Sequence, residues 1–474
     1  MPNSLFNFSG RIAVFAVSTA LVLIAPKSAM AESLADALVG AYTHSGLLDQ
    51  NRALLRAADE DVASAVSTLR PLVTWSASLT QNFGLVRNAT SPNAFDNDSL
   101  TAAVNLAAQL TLYDFGARQF RIDAAKESVL ATREALLDIE QQILLRTVAA
   151  YMGVVEATEF VALRQNNVRL LTQEERAAQD RFDVGEVTRT DVALAQAQLA
   201  QARSGLAAAQ GDLIIAVEEY RNVVGRTPGR LSQPARLPSF NPSVDAAKAA
   251  AVRRHPSLKS AQHQVKAADL LVLATEADMR PNVRITGNLG ISEDLNDDSY
   301  NRGGSIRIES AQTIYQGGAL SATARRAVAQ RDAQRGNLHV VRHQVQQDVG
   351  NAYAQLASIQ AQLAASDRQV RAASIAFRGI REEAALGART TLDVLDAEQS
   401  LLDAQSTQLS ARANLYIAAY RILSSTGHLT AQQLRLPVQI YDPTAYYNLV
   451  KDAPAKRTKQ GQQLDRVLRA LQKD

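Results

Sequence analysis

The sequence predicts a mainly α-helical, internally duplicated chain in which long coiled-coil hairpins are joined to a small transmembrane β part of four strands. Three observations carry this. Along a helical run of about 65 residues, Ile122, Val129, Leu136, Ile143, Ala150 and Ala157 recur at sevens, as the apolar seam of a coiled coil does. Four shorter segments switch to a period of two, the alternation of a strand with one apolar face. Finally, Tyr113/Tyr315, Tyr151/Tyr353, Gly185/Gly387, Asp191/Asp393 and Gly225/Gly427 share a single spacing of 202 residues, which marks a duplication.

Composition bounds the rest. With 46% hydrophobic and 20% charged residues the chain is ordinary for a folded protein, but only 5% is aromatic. So few large side chains favour extended helices packed through small residues. Residues 1–31 read as an export signal: Arg11 precedes the apolar run Ile12 to Ala25, and Ala29-Met30-Ala31 is a small-x-small cleavage site. The mature chain is expected to begin at Glu32. No later run approaches the roughly 20 apolar residues of a membrane helix, so the exported product is either soluble or inserted as strands. The absence of Cys removes disulfides, thiolate metal sites, Cys nucleophiles and the lipid-bearing Cys of an exported lipoprotein. Formal charge is +3, and losing Arg11 and Lys27 leaves the mature chain near neutral, which argues against nucleic acid as a partner.

The first repeat covers 32–225. Its opening helix, Glu32 to Leu69, stops before Pro71. The strand hairpin 72–112 follows: Val73, Trp75, Ala77 and Leu79 alternate with Thr74, Ser76, Ser78 and Thr80, and Leu100 to Leu112 alternates again after a polar loop at Gly84 to Ser99. After Tyr113-Asp114-Phe115-Gly116 the long helix runs to Asp180, turns at a tip spanning 183–191, and returns to Val224. A helix of that length cannot stand alone in water. The two shorter helices together match it end to end and are expected to stack along it. A linker at 226–243 carries Pro228, Pro234, Pro238 and Pro242. The second repeat, 244–427, has a helix from Val244 to Met279, a strand hairpin at 282–314 and a helical hairpin whose tip spans 384–396. Its last strand is the weakest, since Ser310 and Gln312 occupy apolar-face positions. The tail 428–474 holds the turn-rich stretch Tyr441 to Tyr447, expected to wrap the helices, and a basic end expected to be flexible.

Four strands of bilayer length cannot close a barrel. Unpaired strand edges in hydrocarbon cost several kcal/mol per group, so copies of the chain must complete the sheet. Eight strands from two chains or twelve from three are both physically acceptable. The second tip then carries the chemistry of interest. Gly387 ends one helix, Thr390 or Thr391 caps the next, and Asp393 and Asp396 fall at i, i+3 on one helix face. Capping and compensation of the helix dipole account for Asp191 and Asp393 as well as any pore role does. Asp396 sits too deep for a cap.

The duplication, the Tyr-x-x-Gly joints at Tyr113 and Tyr315, and the tip Gly387-Ala388-Arg389-Thr390-Thr391-Leu392-Asp393-Val394-Leu395-Asp396-Ala397 together resemble the TolC family of outer-membrane channels. The likeness runs from Glu32 to about Pro443 and implies a homotrimer with a 12-stranded β-barrel in the outer membrane of a Gram-negative cell, continued as an α-helical barrel into the periplasm. It implies an exit duct for type I secretion or tripartite efflux, opened by a periplasmic adaptor and an inner-membrane ABC or proton-driven transporter. Asp393 and Asp396 match the family's acidic constriction. Thr190, Asp191 and Arg389 match contacts that hold the tips closed, and the tips at Gly185 and Gly387 are where the adaptor would engage. One departure is Ala384, where the family can carry a Tyr; Arg381 or Glu382 then becomes the alternative source of a closing contact. The competing class is a soluble periplasmic coiled-coil adaptor, which would share the hairpins and the export signal but needs no alternating strands.

Other chemistry is sparse. His339 and His343 are i, i+4 on a helix without a third ligand, and Asp294-x-Asn296-x-Asp298 begins like a calcium loop but has Ser299 and Ser305 where Gly and Glu belong. No nucleophile is paired with a base, so neither a cofactor nor an enzyme activity is expected.

Overall fold

The computed structural model describes residues 32–87, 93–96, 98–234 and 236–471; the export signal read at 1–31 lies outside them. In chain order the elements are α1 (Leu34–His44), α2 (Gly46–Ser67), β1 (Leu72–Asn82), β2 (Leu85–Val86), β3 (Phe95–Asp96), β4 (Ser99–Tyr113), α3 (Ala117–Asp183) and α4 (Arg189–Val224). The second half repeats them as α5 (Val244–Arg254), α6 (Pro256–Asp278), β5 (Asn282–Asp294), β6 (Tyr300–Ala311), α7 (Ala319–Ala385) and α8 (Thr391–Ser425), followed by α9 (Pro443–Val450) and α10 (Lys459–Leu471).

Both long helices are 67 residues, about 100 Å at 1.5 Å per residue. The column at sevens is buried throughout: Ile122, Val129, Leu136, Ile143, Ala150 and Ala157 are all below one tenth exposed. The helices α1 and α2 lie along the strand-proximal half of α3, and α4 covers the half toward the tip; α5, α6 and α8 do the same for α7. Helix α6 also packs on α3, so the two repeats interlock.

Two expected single helices are broken in two, each for a local reason. Ser45 is extended (φ −67°, ψ 104°) and accepts from the Leu48 N–H, capping α2. His255 precedes Pro256, whose ring drives the preceding residue out of the helical region, and its side chain caps α6. The basic end is also corrected. Residues 443–450 and 459–471 are helices, seated on α2 through Ala63, Tyr446, Val450 and Leu464.

The sheet order is β1-β4-β5-β6, antiparallel throughout. Register separates the faces. Trp75, Leu106, Leu289 and Gly304 lie in one cross-strand row, with Ala77, Val104, Ile291 and, toward the β5–β6 loop, Arg302 in the next. The opposite face carries rows such as Thr74, Ala107, Asn288, Ser305 and Ser76, Asn105, Gly290, Gly303. One face is apolar and exposed, with Trp75 76%, Leu289 62%, Ile306 82% and Ile308 67% exposed; the other is mostly polar, small at mid-sheet and carrying Arg284, Arg307 and Glu309 toward the helices. On β4 the apolar column runs unbroken from Leu100 to Leu112, twelve steps or roughly 41 Å, enough for a strand tilted at about 40° to cross a ~25 Å band. Gln312, which spoiled the expected pattern, lies past the end of β6 and donates to the Met279 carbonyl at 3.1 Å.

The proline-rich linker is a strap. Tyrosines from α3, α8 and α7 donate to its carbonyls: Tyr151 to Ser232, Tyr416 to Pro234, and Tyr353 to Asn241; Tyr151 also donates to the Glu32 carbonyl at 2.9 Å. Glu32 pairs with the strap through a bridge to Leu231 and accepts from Tyr220 Oη at 2.6 Å and from Arg226.

Candidate functional site

The two helical tips have the same construction. Gly185 (φ +82°) and Gly387 (φ +75°) adopt the left-handed conformation that ends each long helix. At the first tip the Gly185 N–H reaches the Phe182 carbonyl at 3.0 Å and the Glu186 N–H the Arg181 carbonyl at 2.9 Å; at the second, Gly387 and Ala388 donate to Ala384 and Glu383 at 3.1 and 2.9 Å. A Cβ at either Gly would meet nothing within 4 Å, so backbone conformation alone selects Gly. Each is preceded by a displayed apolar side chain, Val184 at 71% and Leu386 at 86% exposed.

A capping box starts each return helix. Thr188 N and Oγ1 donate to Asp191 Oδ2 at 2.9 and 2.6 Å, and Thr390 N and Oγ1 donate to Asp393 Oδ2 at 3.0 and 2.8 Å. The caps are therefore Thr188 and Thr390. Thr190 lies exposed in the first turn of α4. Bonds from the Thr390 backbone and hydroxyl hold the Asp393 carboxyl below the usual range, and those from Thr188 do the same for Asp191. Asp396 differs. Exposed one turn deeper, its carboxylate has no hydrogen-bond or ion-pair partner among the described residues. Asp393 therefore serves as the capping-box carboxylate of α8, while Asp396 is free to face solvent.

Arg389 Nε donates to Glu383 Oε2 at 2.8 Å, bracing its own hairpin. The contact between hairpins comes from elsewhere. Ala384 is buried against Phe377 and Val394, and one turn back Arg381 Nε lies 2.9 Å from Glu174 Oε1, an ion pair from α7 to α3. Deeper still, Asn167 of α3 donates its Nδ2 to Glu398 Oε1 of α8; both are buried, and Glu398 Oε2 has no partner. Burial pushes the Glu398 carboxyl up, against the Asn167 bond and Arg164.

Glu174, Asn167 and Glu398 were missed in the sequence. The signal was present: Asn167 and Glu174 share a heptad column seven residues apart, and Glu398 interrupts the stripe Leu395, Glu398, Leu402. A polar residue in a seam sets register and partner choice. Elsewhere, His339 and His343 are exposed on α7. The Asp294 to Ser299 loop uses its side chains to make turns, Asp294 accepting from the Asn296 N–H at 2.9 Å and Asp297 from the Ser299 N–H at 2.7 Å. No helix among the described residues is long and apolar enough to cross a membrane.

A four-stranded sheet with one lipid-compatible face and two open edges, continued by helices of about 100 Å that end in acidic tips, defines an outer-membrane exit channel. The chain belongs to the outer membrane efflux protein family, whose model matches residues 41–226 and 249–428. It is 33% identical over 454 residues to the outer membrane efflux protein BepC of Brucella suis, covering 95% of this chain and 98% of that one. It is 26% identical to the alkaline protease secretion protein AprF of Pseudomonas aeruginosa, over 82% of this chain and 80% of the relative. Among solved structures it is similar to the Campylobacter jejuni CmeC outer membrane channel (TM-score 0.73, 16% identity, 89% and 90% of the two chains) and to VceC of Vibrio cholerae (0.72, 20%, 83% and 96%). Members of the family form trimeric channels with a β-barrel and a helical barrel, in the Gram-negative outer membrane and extending into the periplasm. The soluble-adaptor reading is thereby overturned. The family is one of transport proteins, not of enzymes.

Proposed function

We propose that this channel is gated at its periplasmic end by the tip of the second repeat. A homotrimer brings six carboxylates, Asp393 and Asp396 from each chain, around the axis, where they favour cations and repel one another when drawn together. Asp396 supplies the unpaired charge and Asp393 the rigid start of the helix that carries it. Closure against this repulsion needs attraction between hairpins, and the Arg381 to Glu174 ion pair offers it in place of the Tyr absent at position 384. Arg389, together with Thr190 and Asp191 on the neighbouring tip, adds further closing contacts. Val184-Gly185 and Leu386-Gly387 form the apolar docking surface for a periplasmic adaptor, which couples the duct to an ABC or proton-driven transporter. The 1–31 segment directs export and is removed at Ala31.

The free carboxylate of Asp396, beside a capped Asp393, is the observation that carries this reading. The test is single-channel recording of the purified mature protein in a planar bilayer, wild type against Asp393→Ala/Asp396→Ala. A small cation-selective conductance that becomes larger or less selective in the double variant supports the gate. Channels indifferent to both substitutions place the constriction elsewhere.

A further inference from the structure

We infer that the C-terminal tail is a cationic clamp that binds anionic phospholipid headgroups on the periplasmic leaflet of the outer membrane. Arg70 is the second residue before β1, at the boundary where the apolar sheet face begins. Its guanidinium donates to the Ala453 carbonyl at 2.6 Å and to that of Asp452. The segment joining α9 to α10 is therefore held at the level where strand meets helix. That level is the headgroup layer, which adds roughly 5 to 8 Å on each side of the hydrocarbon.

Charge is concentrated at the same place. Lys451, Lys456, Arg457 and Lys459 flank the pinned carbonyls, all exposed and none in an ion pair among the described residues. Helix α10 continues the pattern. Leu464 is buried and Leu468 half-buried on its seated side, facing the cluster of Ala63, Tyr446 and Val450 on α2 and α9, while the buried Gly461 abuts the Ala455 backbone. Lys459, Arg466 and Arg469 lie on the opposite side, exposed. Leu464 and Leu468 of this helix are seated on protein, so its free side, the exposed Val467 apart, offers charge rather than insertion. A polybasic surface at a membrane boundary recognises anionic headgroups and is weakened by salt. The neighbouring acids are Asp452, exposed with its carbonyl engaged by Arg70, the half-buried Asp465, and on α2 the exposed Asp61 and Glu60, the latter accepting from Tyr446 Oη at 2.7 Å; the exposed basic side chains of the tail outnumber them.

The chain has no Cys, so Gln462→Cys, exposed in the first turn of α10, accepts a single fluorophore. The labelled full-length protein is reconstituted in nanodiscs of phosphatidylcholine alone or mixed with phosphatidylglycerol, each with a headgroup-quencher lipid. The expected result is markedly stronger quenching in the anionic than in the neutral discs, brought down to the neutral-disc level by high salt and by K451Q/K456Q/R457Q/K459Q, a variant whose heat-resistant trimer is unchanged. Equal quenching in neutral and anionic discs, or quenching that survives the four substitutions, overturns the electrostatic clamp. Absence of quenching in both kinds of disc, or binding to isolated peptidoglycan that the four substitutions abolish, overturns the lipid assignment.

Discussion

Replacing Asn167 by Ala removes the hydrogen bond that the buried Glu398 carboxylate receives across the two hairpins, since its second oxygen already has none. A bond to a charged group is worth about 1.5 to 3 kcal/mol net. If opening separates α8 from α3 at this level, Glu398 regains water in the open state and loses its partner only in the closed one. The closed-to-open ratio should then fall by roughly 10- to 100-fold. Asn167→Leu/Glu398→Leu should restore it toward wild type, because replacing both partners by apolar groups leaves nothing unpaired. Glu398→Gln keeps an acceptor and should shift the ratio less than Asn167→Ala. The assay is open probability in planar bilayers, read as a double-mutant cycle. There is a pH signature too. Burial raises the Glu398 pKa in the closed state, so that state binds more protons than one with Glu398 solvated. This pair therefore favours closure as pH falls through the raised value and opposes it as pH rises, and Glu398→Gln should remove that component. The reasoning fails if Asn167→Ala gates as wild type does, or if the two single changes add with no coupling.

Arg381→Glu should open the tip, and Arg381→Glu/Glu174→Arg should close it again; a reversal without rescue in single-channel traces would show that the ion pair is not the contact between hairpins. Asp59 is fully buried with both carboxylate oxygens unbonded and Arg133 at 3.9 Å, and burial pushes its pKa to about 6. Its native pKa exceeds the unfolded value, so stability is full below about pH 4 and declines as pH rises toward 6. Asp59→Asn should raise trimer heat resistance at pH 7.5 by up to about 3 kcal/mol and change little at pH 4, which denaturation at the two pH values checks. Ile306→Lys puts a charge on the apolar sheet face at about 2 to 4 kcal/mol near the midplane and should lower the fraction of trimer recovered in outer-membrane extracts, whereas Ser305→Lys on the polar face should be recovered as wild type.

The periodicities were legible because packing enforces them: the heptad column from Ile122 to Ala157 is buried and the Leu100 to Leu112 alternation is a strand. What escaped notice depends on tertiary context. The break at Ser45 rests on one residue's ψ, whereas Pro256 was visible and should have divided the second helix. The tail helices were hidden by their charge, since Leu464 and Leu468 gain meaning only against Ala63. At the tip, spacing could put Asp393 and Asp396 on one face, but only coordinates separate a carboxylate held by Thr390 from one left free. Arg381 found its partner 207 positions earlier in Glu174, a pairing no local pattern encodes.

The tyrosine-tied strap at 226–243 divides the duct mechanically. Its bonds run to α3, α7 and α8, so spreading those helices at its height requires the Ser232, Asn241 and Pro234 carbonyls to release their tyrosines together. Below it, Arg381–Glu174 and Asn167–Glu398 are isolated contacts that can break independently of each other. On the gating proposed above, the strap acts as a hoop on a stave barrel, holding these helices together at its height while the tips below it part. A disulfide engineered across α3 and α7 at the height of the strap should leave transport intact, whereas one near position 174 should arrest it.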